Sequence, residues 1–150
     1  MKIEEAINQK QFKNNWQKAT LNILYTNNWI QNQVKLFLKP YGVTQQQFNV
    51  LRILRGQFPK PLTTSVIRKR MLDKMSDASR IVERLYKKGL VERQICPADK
   101  RLVDVLISEK GLNVLAAIDE NSEKLDFSKT SLTEGEALLL SDLLDKLRAG

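Results

Sequence analysis

The sequence has no histidine and a single cysteine, Cys96. Metal sites built from His and Cys clusters therefore lack their ligands, and no His-based catalytic triad can be assembled. One cysteine cannot form a disulfide within the chain; Cys96, at the end of a strand-like run, reads as an inert strand residue. No stretch approaches the ~18 consecutive apolar residues of a membrane span. The opening Met1-Lys2-Ile3-Glu4-Glu5 lacks the apolar core of a secretion signal, so a cytoplasmic protein with no membrane partner is expected. Glycine is sparse, 6 in 150 residues, and forms no phosphate-binding loop. There is no nucleophile–base pair. The expectation is a protein that is not an enzyme, with no catalytic residue, no cofactor and no metal.

Acidic residues are scarce in one region. From Arg52 to Arg101 there are 14 Lys/Arg against 5 Asp/Glu, and the remainder of the chain carries 11 against 12. The net charge of +8 thus sits almost wholly in the middle third. That is the footprint of a polyanion partner, the plain alternative being a Lys-rich solvated face. Apolar content of 42% and charged content of 28% are ordinary for a globular protein. A length of 150 residues fits one domain and allows about 70% of the unfolded surface to be buried.

The rest of the chain is organised around residues 76–107. Ser76 to Lys88 has helical spacing, with Ala78, Ile81, Val82, Leu85 and Tyr86 on one face. Asp77, Arg80, Glu83, Arg84, Lys87 and Lys88 fall on the other. Ser76 is placed to cap the helix start, and Gly89 to end it in a left-handed conformation. Two strand-like runs follow, Leu90–Cys96 and Leu102–Ile107, separated by Pro97-Ala98-Asp99-Lys100-Arg101. A basic helix followed by a hairpin with a charged tip suits a duplex, because a helix fills a major groove about 12 Å wide.

Upstream, residues 5–39 read as one long helix ended by Pro40 and Gly42. Thr44 and Gln47 form a capping box for a helix to about Gln57. Thr63-Thr64-Ser65 caps a third helix to about Leu72, decorated by Arg68, Lys69 and Arg70. With the Ser76 helix it makes a helix-turn-helix pair, whose linker has no glycine. Downstream, Ser108 caps a helix to about Leu125, and Thr133 with Glu136 opens the last one. Its leucines, from Leu138 to Leu147, are too many for one face of a surface helix. They predict a homodimer rather than a helix folded back on its own core.

Residues 76–111 resemble the winged helix-turn-helix of the MarR family of bacterial transcriptional regulators. The resemblance rests on Ser76-Asp77-x-Ser79-Arg80, Arg84-Leu85-x-Lys87-Lys88-Gly89-Leu90-Val91, Pro97-x-Asp99-x-Arg101 and Ser108-x-x-Gly111. It implies a mainly α fold with a small two- to three-stranded β wing. Residues 44–107 would form the DNA-binding lobe, and 5–39 and 108–150 the dimerisation helices. It also implies sequence-specific binding of double-stranded DNA by a homodimer on a pseudo-palindromic operator, most often as a repressor. A non-specific architectural DNA binder of the same fold is the alternative.

Roles follow from chemistry. Ser76, Asp77, Ser79 and Arg80 lie where a recognition helix meets base edges, and Arg84 lies one turn on. Arg80 is the best direct reader, since a guanidinium takes guanine O6 and N7 together. Thr63, Thr64 and Ser65 offer hydroxyls and free N–H groups to phosphate. Lys100 and Arg101 occupy the wing tip; by resemblance, Asp99 stabilises the wing and Arg101 enters the minor groove. The family's small anionic or phenolic effectors imply a ligand site, for which Trp16 and Arg52 are candidates among several aromatics and cations.

Overall fold

Capping side chains set most helix starts in the computed structural model, which describes all 150 residues. The chain falls into two units, Met1–Glu120 and Asn121–Gly150.

The first unit begins with a short helix, α1 (Ile3–Ala6), then α2 (Asn15–Leu38). The single helix expected over residues 5–39 is interrupted. Asn8 takes φ 52°, a left-handed conformation that asparagine tolerates better than most residues. Asn14 then restarts the helix by accepting a hydrogen bond from the Gln17 amide at 2.9 Å. Lys18 pairs with Glu4 across the break.

Helix α3 (Gln45–Gln57) carries the expected capping box. The Gln47 amide donates to Thr44 Oγ1 at 3.1 Å, and the Thr44 amide donates to Gln47 Oε1 at 3.2 Å. Strand β1 (Leu62–Thr63) leads into α4 (Thr64–Arg70), with Thr63 as its N-cap. Helix α5 (Ala78–Lys87), strands β2 (Val91–Ile95) and β3 (Val103–Ile107), and helix α6 (Glu109–Asp119) follow. The sheet is antiparallel in the order β1-β3-β2. Leu62 faces Val105, and β2 runs in register from Val91 opposite Ile107 to Ile95 opposite Val103. The architecture is mainly α with a three-stranded wing. Its core is formed by Leu51 and Leu54 of α3, Ile67 of α4, Leu85 of α5, Val105 and Ile107 of β3, and Leu115 of α6.

Helix α6 starts at its expected cap, Ser108, but ends at Asp119 rather than near Leu125. The apolar positions stop at Ile118, and the polar run Asp119 to Lys124 has no face to bury. A 3-10 turn covers Ser122–Leu125 instead.

The second unit holds that turn and α7 (Glu134–Ala149). Thr133 and Glu136 form the expected second capping box. The amide and hydroxyl of Thr133, bonded to the Glu136 carboxylate, hold its pKa below the ordinary value. No residue of α7 is buried, and Leu138, Leu139, Leu140, Leu143 and Leu147 are all exposed.

Candidate nucleic-acid interface

The turn between α4 and α5 is built without glycine and without any positive φ. Asp73 does the work of a turn residue. Its Oδ1 accepts from the Met75 amide at 2.9 Å, and its carbonyl accepts from the Ser76 amide at 3.3 Å. Asn49 of α3 braces the other end, its Oδ1 accepting from the Leu72 amide at 3.0 Å.

The N-cap of α5 is Asp77, one residue beyond the expected Ser76; its Oδ1 accepts from the Arg80 amide at 3.2 Å. Ser76 is buried, and its hydroxyl accepts from Gln46 Nε2 at 3.3 Å. Once α3 supplies that partner, Ser76 is an anchor of the turn rather than a free hydroxyl. Helix α5 buries Ala78, Ile81, Val82 and Leu85 and exposes Ser79, Arg80 and Arg84. Tyr86, expected on the apolar face, is 46% exposed. At 100° per residue it lies at the margin of the buried stripe, and Arg93 of β2 stacks over its ring at 4.0 Å.

The helix ends as the sequence predicts. Gly89 has φ 74°, its amide donates to the Tyr86 carbonyl at 2.9 Å, and the Leu90 amide donates to the Leu85 carbonyl at 3.0 Å. These are the two bonds of a Schellman motif. Lys88 is not a solvated end charge: its ammonium donates to the Gly42 carbonyl and to Gln47 Oε1, each at 2.8 Å.

A cleft of about 710 Å³ joins the starts of α4 and α5 and is bordered by Thr64, Ser65, Ser76, Asp77 and Ser79. Five of the residues singled out in the sequence thus meet at one place. Thr63 adjoins them through a 3.2 Å contact between its Oγ1 and Ser65 Oγ. Arg68, Lys69 and Lys74 also border the cleft. They were not among the assigned site residues, although the run Arg68-Lys69-Arg70 was their signal. The linker folds Lys74 back, so that its ammonium meets the Lys69 carbonyl.

The wing tip does not border that cleft. Arg101 donates from Nε to Asp99 Oδ1 at 3.1 Å and from Nη2 to Oδ2 at 3.0 Å. The Arg101 amide adds a third bond to Oδ1 at 3.0 Å. The guanidinium holds the Asp99 carboxyl below its ordinary pKa, and the carboxylate raises that of Arg101. Arg101 nevertheless stays 89% exposed at its side chain. Lys100 is exposed beside it.

The two ligand candidates are not brought together. Trp16 is 81% exposed on the first turn of α2, and Arg52 lies over the Phe48 ring at 5.6 Å. A second cleft, of about 770 Å³ between α2, α3 and the turn, is bordered by neither. It is bordered by Lys35, Leu36, Lys39, Val43 and Met71.

Residues 41–102, from just before α3 to the wing tip, match the model of the MarR family. The HTH-type transcriptional regulator MhqR of Bacillus subtilis (strain 168) is 24% identical over 119 residues, 79% of this chain and 81% of that protein. A MarR-like transcription regulator of Bacillus cereus ATCC 10987 has a crystal structure that aligns at TM-score 0.79 and 23% identity, covering 90% of this chain and 96% of that one. A Cys-to-Ser mutant of MarR from E. coli, solved in complex with operator DNA, aligns at TM-score 0.75 and 27% identity over 83% of this chain and 89% of that one. With its helix-turn-helix and three-stranded wing, this chain is similar in fold to MarR-type regulators, and residues 41–102 carry its match to that family.

Proposed function

We propose that this protein is a sequence-specific transcriptional regulator, a repressor, that binds a pseudo-palindromic operator in double-stranded DNA as a homodimer. One observation carries the proposal: α5 exposes Arg80 and Arg84, and its first residues border a hydroxyl-lined, cationic cleft at the joint of two helix starts. Neither arginine is used in an ion pair of the fold. That combination suits base edges met by α5 and phosphates held at the α4 start and by Arg68 and Lys69. The operator-bound MarR of similar fold gives further support.

The homodimer is supported by the exposed leucines of α7 and, independently, by the exposed Trp16, Leu24, Tyr25, Trp29 and Leu36 of α2. So much apolar surface on a globular chain marks an interface. A two-fold dimer carries two copies of α5 and would read half-sites about one helical turn, ~34–36 Å, apart. Residues 44–107 then act as the DNA-binding lobe, and 5–39 with 108–150 as the dimerisation helices. Release by a small organic anion is part of the same proposal. The cations Lys35 and Lys39, bordering one cleft with the apolar Leu36, Val43 and Met71, suit such a ligand better than Trp16 and Arg52 do.

The test is competition. DNA fragments retained by the purified protein are sequenced, and the enriched fragment is titrated against random duplex of equal length. Preference of about a thousandfold or more is the expected result. A ratio near one would assign the alternative, architectural role.

A further inference from the structure

We propose that Met75 is a specificity-determining residue that reads the methyl group of a thymine in the major groove; this rests on the DNA-reading function proposed above. Met75 is 89% exposed, in the turn between α4 and α5. The fold gains nothing from a large thioether there, because the side chain takes no part in the core. Its backbone, by contrast, is held on both sides. The Met75 amide donates to Asp73 Oδ1, and the next residue, Ser76, is buried and bonded to Gln46. The side chain therefore leaves a braced turn two residues before the N-cap of α5.

Met75 is the one large apolar side chain bordering the cleft between the two helix starts. Its charged neighbours there are Arg68, Lys69, Lys74 and Asp77. Leu72, the other exposed apolar residue of the turn, borders the second cleft instead. Three cations around the cleft fit flanking phosphates, which would set the start of α5 against base edges. Among the groups that base pairs present in the major groove, the thymine C5-methyl is the apolar one. A flexible, polarisable thioether with only a weak acceptor suits a methyl and matches neither an amino nor a carbonyl edge.

The experiment replaces each thymine of the selected duplex, one at a time, by deoxyuridine, which removes the methyl and leaves the hydrogen-bonding edges intact. Affinities are measured for the full-length protein and for Met75→Ala and Met75→Leu, two variants at an exposed position that leave the core untouched. The wild type should lose about fourfold at one thymine of each half-site, the effect of returning one buried methyl to water. M75A should be indifferent to uridine at that position, and M75L should keep the dependence. Equal losses in the wild type and M75A would overturn the proposal, as would a wild type for which no thymine methyl matters. A wild type that selects no sequence at all would sink the DNA-reading function and Met75 with it. The two failures are thus distinguishable.

Discussion

Arg80 and Arg101 are both exposed arginines, but their surroundings differ. The Arg80 amide donates to the Asp77 cap, and the Arg80 guanidinium is in no ion pair of the fold. Arg101 is bonded to Asp99 through Nε and Nη2, and its Nη1 takes no part in that pair. R80A should therefore relax base preference by about 1–3 kcal/mol at one position of each half-site. R101A should weaken all duplexes alike and lower the salt slope by about one. Anisotropy titrations on matched and mismatched duplexes at several salt concentrations separate the two. If both variants bind like the parent, the assignment of these side chains is wrong. At this scale resemblance alone gives Asp99 its wing-stabilising role, and the sequence does not foretell its bonds to Arg101, two residues on. Nor is the sequence readable where the partner is remote. Ser76 and Asp77 are both good caps, and Gln46, thirty residues away, decides between them. Lys88 looks like a solvated charge until Gly42 and Gln47 are brought to it.

Elements were predicted best where local chemistry fixes their ends. The capping boxes at Thr44 and Thr133 and the Gly89 stop all lie where their residues dictate. Strand β1 was missed as an element because two residues have no periodicity; pairing with β3 makes it a strand. The break in the first helix escaped notice because apolar spacing continues across it, while Asn8 and Asn14 act through backbone conformation and capping. Gly111 shows how a motif residue acquires a physical reason. A Cβ there would sit 2.3 Å from the Leu90 carbonyl oxygen and 2.7 Å from Ile107 Cγ1. That carbonyl also accepts from the Ser108 amide, so it cannot swing away without loss. Helix α6 therefore seats against the α5–β2 junction only through a glycine. G111A should destabilise the fold by about 1–3 kcal/mol, the usual cost of overpacking. Urea unfolding checks this, and a variant as stable as the parent would mean that α6 is not seated so closely.

Across the whole molecule, charge and apolar exposure are separated along the sequence. The basic excess lies in residues 52–101, which hold the α4–α5 pair and the wing. The large exposed apolar side chains are concentrated in α2 and α7. Such a division is what the proposed function requires: a basic surface for phosphate and apolar surface for a second copy of the chain. The distribution of charge is legible in the sequence, since it needs only counting. The clefts are not, because they join residues from separate elements. The central claim is that two copies of α5, related by a dyad, match the pitch of B-form DNA. Hydroxyl-radical protection on the retained fragment tests it most directly. Two protected patches on one face of the duplex, centred about one helical turn (~34–36 Å) apart, are the expected result. A single patch, or protection with no fixed register, would contradict it.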